Sequence, residues 1–233
     1  MTKTSQRAQK EYRAGPGRPV RIEGDLDLRE RILDASEEQF AKRGYEAVST
    51  RGVARQVQAT PAMIHYYFHT KRELFDAVFA RRADIVNRER MATLDAYEAD
   101  AGAHVTVEGA IAAFLRPVLE KLDNGGPGWR NYLALVAQVS HIPEWGGEVM
   151  TQSFDPVIQR LIQIVRKALP KAREEDLYWA YHFFIGAVML ILAETDRINR
   201  LSGGKCRSTD IAAIEPRLIT FAAAGFLSVC KGG

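Results

Sequence analysis

The sequence predicts an all-α fold, and three observations carry that expectation. Every long segment of the 233-residue chain repeats its apolar residues at helical spacing. No stretch alternates polar and apolar residues as a half-buried strand would, and the segments are parted by short turn-rich runs. About nine helices follow, arranged as a small N-terminal unit and a larger C-terminal one. With 46% hydrophobic and 26% charged residues, the composition is that of a globular protein.

Residues 1–24 are polar and basic, carrying Lys3, Arg7, Lys10, Arg13, Arg18 and Arg21, and Gly15, Pro16, Gly17, Pro19 and Gly24 oppose regular structure. Such an arm can track phosphates or enter a minor groove, and Gly17, Arg18 and Pro19 resemble the core of a short minor-groove motif. A plain solvated tail has the same composition. From Asp27 to Arg43, Leu28, Ile32, Ala35 and Phe40 recur at helical spacing, and Gly44 stops the helix. Tyr45 and Val48 then cover its end.

Between Ser49 and Lys71 the pattern becomes more specific. A short helix from about Thr50 buries Val53, Ala54 and Val57 and leaves Arg51, Arg55 and Gln56 polar. A tight turn spans Gln58 to Thr60. Thr60 is a good N-cap and Pro61 sits at the first helical position, where its missing N–H costs nothing. In the helix that restarts there, Ile64 and Phe68 face inward, turning Pro61, Ala62, Met63, His65 and Tyr66 outward. Thr70 and Glu73 read as a capping box for the next helix. Lys71 in its first turn opposes the helix dipole, a conflict that a nearby phosphate would reverse; an ordinary surface lysine is the alternative. Two short helices joined by such a turn make a helix-turn-helix, and that motif points to DNA.

A helix from Lys71 to about Glu98 connects the two units through Leu74, Phe75, Val78, Phe79, Ile85 and Val86. Beyond it the helical segments run roughly 105–122, 129–139, 148–169, 174–199 and 211–229, separated at 124–128, 141–147, Pro170 and 201–208. Residues 1–90 hold 18 Lys/Arg against 13 Asp/Glu, and residues 91–233 hold 14 against 16. The N-terminal part is therefore +5 and the remainder −2, a modest basic excess that supports nucleic-acid binding and that solvated helices also carry.

Cys206 and Cys230 stand far apart with no histidine at ligand spacing, so neither a disulfide framework nor a metal site is expected, and no cofactor. The start of the chain lacks the apolar segment of a signal peptide, and the apolar run 177–193 is short for a membrane span and reads as a buried helix. A cytoplasmic protein is the expectation. Leu201, Ser202, Gly203 and Gly204 spell the start of a transporter ATPase signature, but no phosphate-binding loop accompanies them. No catalytic elbow, paired carboxylates or third ligand for His65 and His69 is found, so an enzyme is not expected.

The segment Ala35 to Leu74 resembles the DNA-binding domain of the TetR family of bacterial regulators. Phe40, Gly44, Tyr45, Ser49, Thr50, Val53, Ala54, Thr60, Pro61, Ile64, Tyr66, Tyr67, Phe68, Lys71 and Leu74 carry the resemblance. Two positions depart from the family's habit: Gln58 stands where the turn usually has Gly, and His65 where the recognition helix usually has Tyr. A Gln in the left-handed region costs ~1 kcal/mol or more, so the turn is either strained or unusually tight. His65 can still donate to a phosphate or a base, with a contact open to pH.

The resemblance implies a homodimer formed through the last two long helices, 174–199 and 211–229, and a small-molecule effector bound in the C-terminal domain that releases a DNA operator. An apolar, acyl-type effector is the preferred class. On this reading residues 25–70 form the DNA-binding domain and 71–233 the effector and dimerisation domain. Thr50, Arg51, Thr60, Tyr66, Tyr67 and Lys71 would contact DNA mainly through phosphates, and Pro61, Ala62, Met63 and His65 would face base edges. Candidate effector contacts are Phe114, Trp129, Tyr132, His141, Trp145, Phe154 and His182, each of which ordinary core packing also explains. The rival function is binding or processing of a small hydrophobic molecule beside a vestigial DNA domain, and activation stays open beside repression.

Overall fold

The computed structural model describes residues 23–231, with side chains from Asp27 onward; the basic arm expected over residues 1–24 lies almost wholly outside them. The described residues form ten α-helices and no strand: α1 (Glu23–Ala47), α2 (Thr50–Gln56), α3 (Pro61–Tyr67), α4 (Lys71–Ala101), α5 (Val107–Asn124), α6 (Gly126–Val139), α7 (Gly146–Ala168), α8 (Glu174–Leu192), α9 (Arg197–Leu201) and α10 (Ile211–Val229). The expected boundaries hold to within about four residues, except in one place. The helix anticipated over 174–199 is two helices. Glu194 (φ 42°) and Asp196 (φ 55°) take left-handed backbone between α8 and α9. Asp196 is tied there by its carboxylate, which accepts from Asn199 Nδ2 (2.9 Å) and Ser208 Oγ (3.3 Å), so side-chain hydrogen bonds replace the helical ladder.

The N-terminal elements are set by local chemistry. Gly44 breaks α1 with φ 75° and ψ 163°, a conformation closed to other residues at little cost. Ser49 Oγ then accepts from Gly52 N (3.1 Å), Thr60 Oγ1 from Met63 N (3.3 Å) and Thr70 Oγ1 from Glu73 N (3.0 Å). Each of α2, α3 and α4 therefore begins on a hydroxyl cap, each worth about 1 kcal/mol.

Packing joins these small helices to the rest through α1, which lies against both α4 and α6. The junction centres on Glu37, whose side chain is 2% exposed. Its carboxylate accepts from Arg82 Nε (2.6 Å), Arg82 Nη2 (2.9 Å) and Arg81 Nη2 (3.2 Å). Arg82 also lies over the Trp129 ring of α6 at 4.9 Å, and a Cβ on Gly128 would collide with its guanidinium. Gln138 of α6 donates to the Ala41 carbonyl of α1 (2.6 Å). An aromatic chain runs through the same junction: Tyr45 to Phe75 (5.3 Å), Phe75 to Phe79 (5.9 Å) and Phe79 to Tyr132 (5.6 Å).

Helices α4 to α8 and α10 make the larger bundle. The apolar run expected to be a buried helix is only partly so. In α8 and α10, 33% and 28% of the most apolar stretch is buried within the chain, and both helices are long and apolar enough by composition alone to cross a membrane. Trp179, Phe183, Leu190 and Phe221 are exposed.

Removing one partner from a buried ion pair leaves the other uncompensated. Glu37→Gln is therefore expected to lower stability by about 2 to 4 kcal/mol, since Arg81 and Arg82 recover some water. Urea unfolding followed by circular dichroism measures this, and a loss below ~1 kcal/mol would count against the junction's importance.

Candidate nucleic-acid interface and internal cavity

Helix α3 is capped at its start by Thr60 and buried on one side only. Ile64 and Phe68 are buried, while Pro61, Ala62, Met63, His65 and Tyr66 are all exposed, Tyr66 at 63%. Tyr67 is half-buried, its ring 5.3 Å from that of Tyr66. Thr60 is exposed but spends its hydroxyl on the α3 cap. On α2, Arg51 is exposed and Thr50 half-buried. Gln56 turns away from this face, accepting from Gln39 Nε2 (2.6 Å) and donating to Glu38 (2.9 Å) on α1.

The turn between α2 and α3 is strained rather than tightened. Gln58 takes φ 56°, its N–H bonds to the Arg55 carbonyl (3.3 Å), and the Ala59 N–H reaches back to Ala54 (2.9 Å). That pair of bonds is a Schellman ending, which ordinarily places Gly at the left-handed position. Here Gln bears the penalty.

Lys71 is half-buried beside this face. Its ammonium lies 4.3 Å from the centre of the Tyr45 ring and donates to the Glu46 carbonyl (3.1 Å). An ammonium has three N–H donors, so others stay available to an anion. With Ser49, Thr50, His65 and His69 it lines a recess of about 280 Å³. His65 and His69 meet edge to face at 5.9 Å. The described residues hold no cluster of three or more His, Cys, Asp or Glu placed for a metal.

A second feature lies inside the larger bundle. Side chains of α4 to α8 enclose a small cavity of about 30 Å³, lined by Val86, Phe114, Val118, Leu133, Val136, Met150, Phe154, Ile158, Ile185, Met189 and Leu192. Three polar side chains join them: Arg90, Tyr132 and Tyr181. Of the aromatic and polar side chains anticipated as effector contacts, the fold brings Phe114, Tyr132 and Phe154 together here. The other four do not line the cavity. Trp129 stacks edge-on to Tyr132 (5.9 Å) and covers Arg82, while Trp145 packs on Tyr45 (5.1 Å) and Phe75 (5.2 Å) at the junction. His141 is exposed and shares a hydrogen bond with the Ala137 carbonyl (2.7 Å), and His182 lies on the outer face of α8 beside Trp179 and Phe183.

Arg90 is the residue that inspection of the sequence passes over, hidden in the charged run Arg88, Glu89, Arg90. It is 6% exposed, donates from Nε to the Phe114 carbonyl (3.2 Å), and lies 4.2 Å from the Phe114 ring centre. Among the described residues no carboxylate pairs with it. Burial depresses its pKa to about 10, against weaker opposing effects of Tyr181 and Tyr132. Burial likewise pushes the phenols of Tyr132 and Tyr181 up, with Arg90 opposing. One signal does betray Arg90: it stands four residues from both Val86 and Leu94, inside an apolar stripe.

Two family descriptions match the chain: "Bacterial regulatory proteins, tetR family" over residues 32–78, and "Tetracyclin repressor-like, C-terminal domain" over residues 112–225. The chain belongs to the TetR family. TetR-family regulators bind DNA, respond to small-molecule effectors, act as dimers and are generally not enzymes. Solved structures share the fold at low identity. HlyIIR, a hemolysin II transcriptional regulator, aligns at 17% identity over 85% of this chain and 98% of its own, with a TM-score of 0.57. A TetR-family transcriptional regulator from Mesorhizobium loti MAFF303099 gives 18% over 91% and 98% (TM-score 0.56). The fatty acid degradation regulator FadR from Bacillus halodurans gives 13% over 92% and 98% (TM-score 0.57). No curated protein matches by sequence.

Two stability measurements test these sites. Gln58→Gly removes the left-handed penalty but loosens the unfolded chain, for a net gain of about 0.5 to 1 kcal/mol in urea unfolding. A loss would mean that the Gln58 side chain holds the turn. For Arg90, a base whose folded pKa lies below its unfolded value costs stability at neutral pH, and the cost fades only as pH rises through about 10. Arg90→Met is therefore expected to raise stability at pH 7 by about 1 to 3 kcal/mol, read as a higher urea midpoint at unchanged slope.

Proposed function

We propose that this regulator is a repressor that binds a roughly palindromic operator as a dimer and leaves it when a small apolar, acyl-type effector binds. The observation that carries the DNA reading is α3 itself. Pro61, Ala62, Met63, His65 and Tyr66 stay exposed on its outer side, while Ile64, Phe68 and the Thr60 cap fix it to the rest of the unit. In a dimer, two such helices enter successive major grooves. Pro61, Ala62, Met63 and His65 then face base edges, and Thr50, Arg51, Thr60, Tyr66, Tyr67 and Lys71 fix the register on the backbone. Residues 25–70 serve as the DNA-binding unit, with residues 1–24 as an accessory arm, and residues 71–233 as the effector and dimer unit.

The exposed apolar faces of α8 and α10 support dimerisation through those helices, since Trp179, Phe183, Leu190 and Phe221 would leave water together. The cavity supports effector binding between α4 and α8. Its link to the DNA unit is α4, which contributes Val86 and Arg90 to the cavity and starts at Lys71, next to the reading helix. An effector releases DNA only to the extent that it prefers the conformation that fits the operator poorly.

A mobility-shift assay on the DNA flanking the protein's own gene tests this directly. The expected result is a specific shift that an apolar effector abolishes; no specific shift at any salt favours a small-molecule binder with a vestigial DNA unit. Reporter expression rising upon deletion of the gene marks a repressor, and falling expression an activator. Lys71→Ala is expected to weaken binding to all DNA sequences alike and to lower the salt slope by about one unit. A changed sequence preference at an unchanged slope contradicts a phosphate role.

A further inference from the structure

The cavity's polar corner is chemically incomplete. Arg90 carries a full positive charge into an apolar enclosure, uses Nε on the Phe114 carbonyl, and has no carboxylate opposite it among the described residues. Its other guanidinium N–H groups form no hydrogen bond there. The Tyr132 hydroxyl lines the same cavity, fully buried, and has no hydrogen-bond partner. Buried donors without acceptors are costly, and a cation and a phenol around one space define the acceptor that is missing: an anion.

Resting on the effector reading above, we propose that this cavity takes a small apolar carboxylic acid, whose carboxylate is clasped by Arg90 and accepts the Tyr132 hydroxyl hydrogen. Charge sets the head group. A single guanidinium balances one negative charge; no second Lys or Arg lines the cavity, so a dianionic phosphate would bring an excess charge into an apolar space. The planar fork of arginine also matches the two oxygens of a carboxylate. Shape sets the body. Phe114, Phe154, Ile185 and their neighbours offer it apolar surface, with the Tyr181 hydroxyl the one further polar group on the lining.

Size determines how the acid acts. The enclosed space of about 30 Å³ has room for little more than water, so an acid enters only by moving its walls. The movable walls are Met150 of α7 and Met189 of α8, unbranched side chains that repack easily. Met150, Ile158, Tyr181 and Ile185 are half-buried, so the cavity comes nearest the surface between α7 and α8, the side from which an acid would enter. Opening that seam while the carboxylate holds Arg90 pulls on α4. Arg90 thus selects the acid and transmits its arrival.

Titration calorimetry of the full-length protein at pH 7 with octanoate and 3-phenylpropanoate, each against its primary amide, tests the proposal. At least one acid is expected to bind about tenfold or more tightly than its amide, in keeping with a charge-assisted contact. Arg90→Met is expected to erase that preference, and Tyr132→Phe to weaken the acid a few-fold while leaving the amide nearly unchanged. Equal affinity for acid and amide, no binding of any of the four compounds, or an intact preference in Arg90→Met overturns it. The wild-type comparison needs no variant to fold. Because the titration contains no DNA, it decides the ligand class whatever the operator assay shows.

Discussion

The joint between the molecule's two halves is anchored on Glu37, the buried one of three α1 carboxylates that meet the arginines of α4. Glu37 sits where α1, α4 and α6 converge, and two arginines of α4 meet it while the first turn of α6 closes over them. Burial makes the arrangement demanding. A carboxylate out of water is tolerated only with its hydrogen bonds complete, so α1 cannot slide on α4 without breaking the set. On the DNA side α2 packs on α1 and α3 on α2, and on the other side α5, α6 and α7 pack on α4. Close packing around a joint of this kind leaves little slack between the two halves.

Around that joint runs a continuous line of contacts. It begins at Arg90 and Tyr132 in the cavity, passes through Phe79 and Phe75, and reaches Tyr45, over whose ring the Lys71 ammonium rests. Trp145 braces the same line from the α6–α7 connection. Large planar side chains of this kind have few alternative packings. The line ends at Lys71, which shares a recess with His65 of the reading helix.

The parts legible in the sequence are those governed by neighbours along the chain. Ser49, Thr60 and Thr70 cap within three residues of themselves, Gly44 and Gln58 sit at helix ends, and Pro61 begins a helix; each rule is local, and each feature stands where it was expected. The break at Glu194 and Asp196 was not legible, because it depends on hydrogen bonds to Asn199 and to Ser208 in the loop before α10. The cavity was half legible. Phe114, Tyr132 and Phe154 stood out by size, yet size also drew attention to Trp129 and Trp145, which belong to the joint instead. Arg90 and Glu37 were hidden because charge implies solvent until tertiary contacts say otherwise. Both nonetheless occupy helical positions among apolar residues, Glu37 between Leu33 and Phe40, and a charge within an apolar stripe is the pattern to look for.

The outer faces of α8 and α10 carry one more consequence. A helix pair whose most apolar stretch is only about a third buried in its own chain leaves a lone copy with much greasy surface in water. In a family whose members act as dimers, were that surface the dimer seam proposed above, folding and association would be parts of one equilibrium. Resistance to unfolding would then rise with the protein's concentration. Scarcity would thus set a lower limit on the number of working switches, through mass action alone.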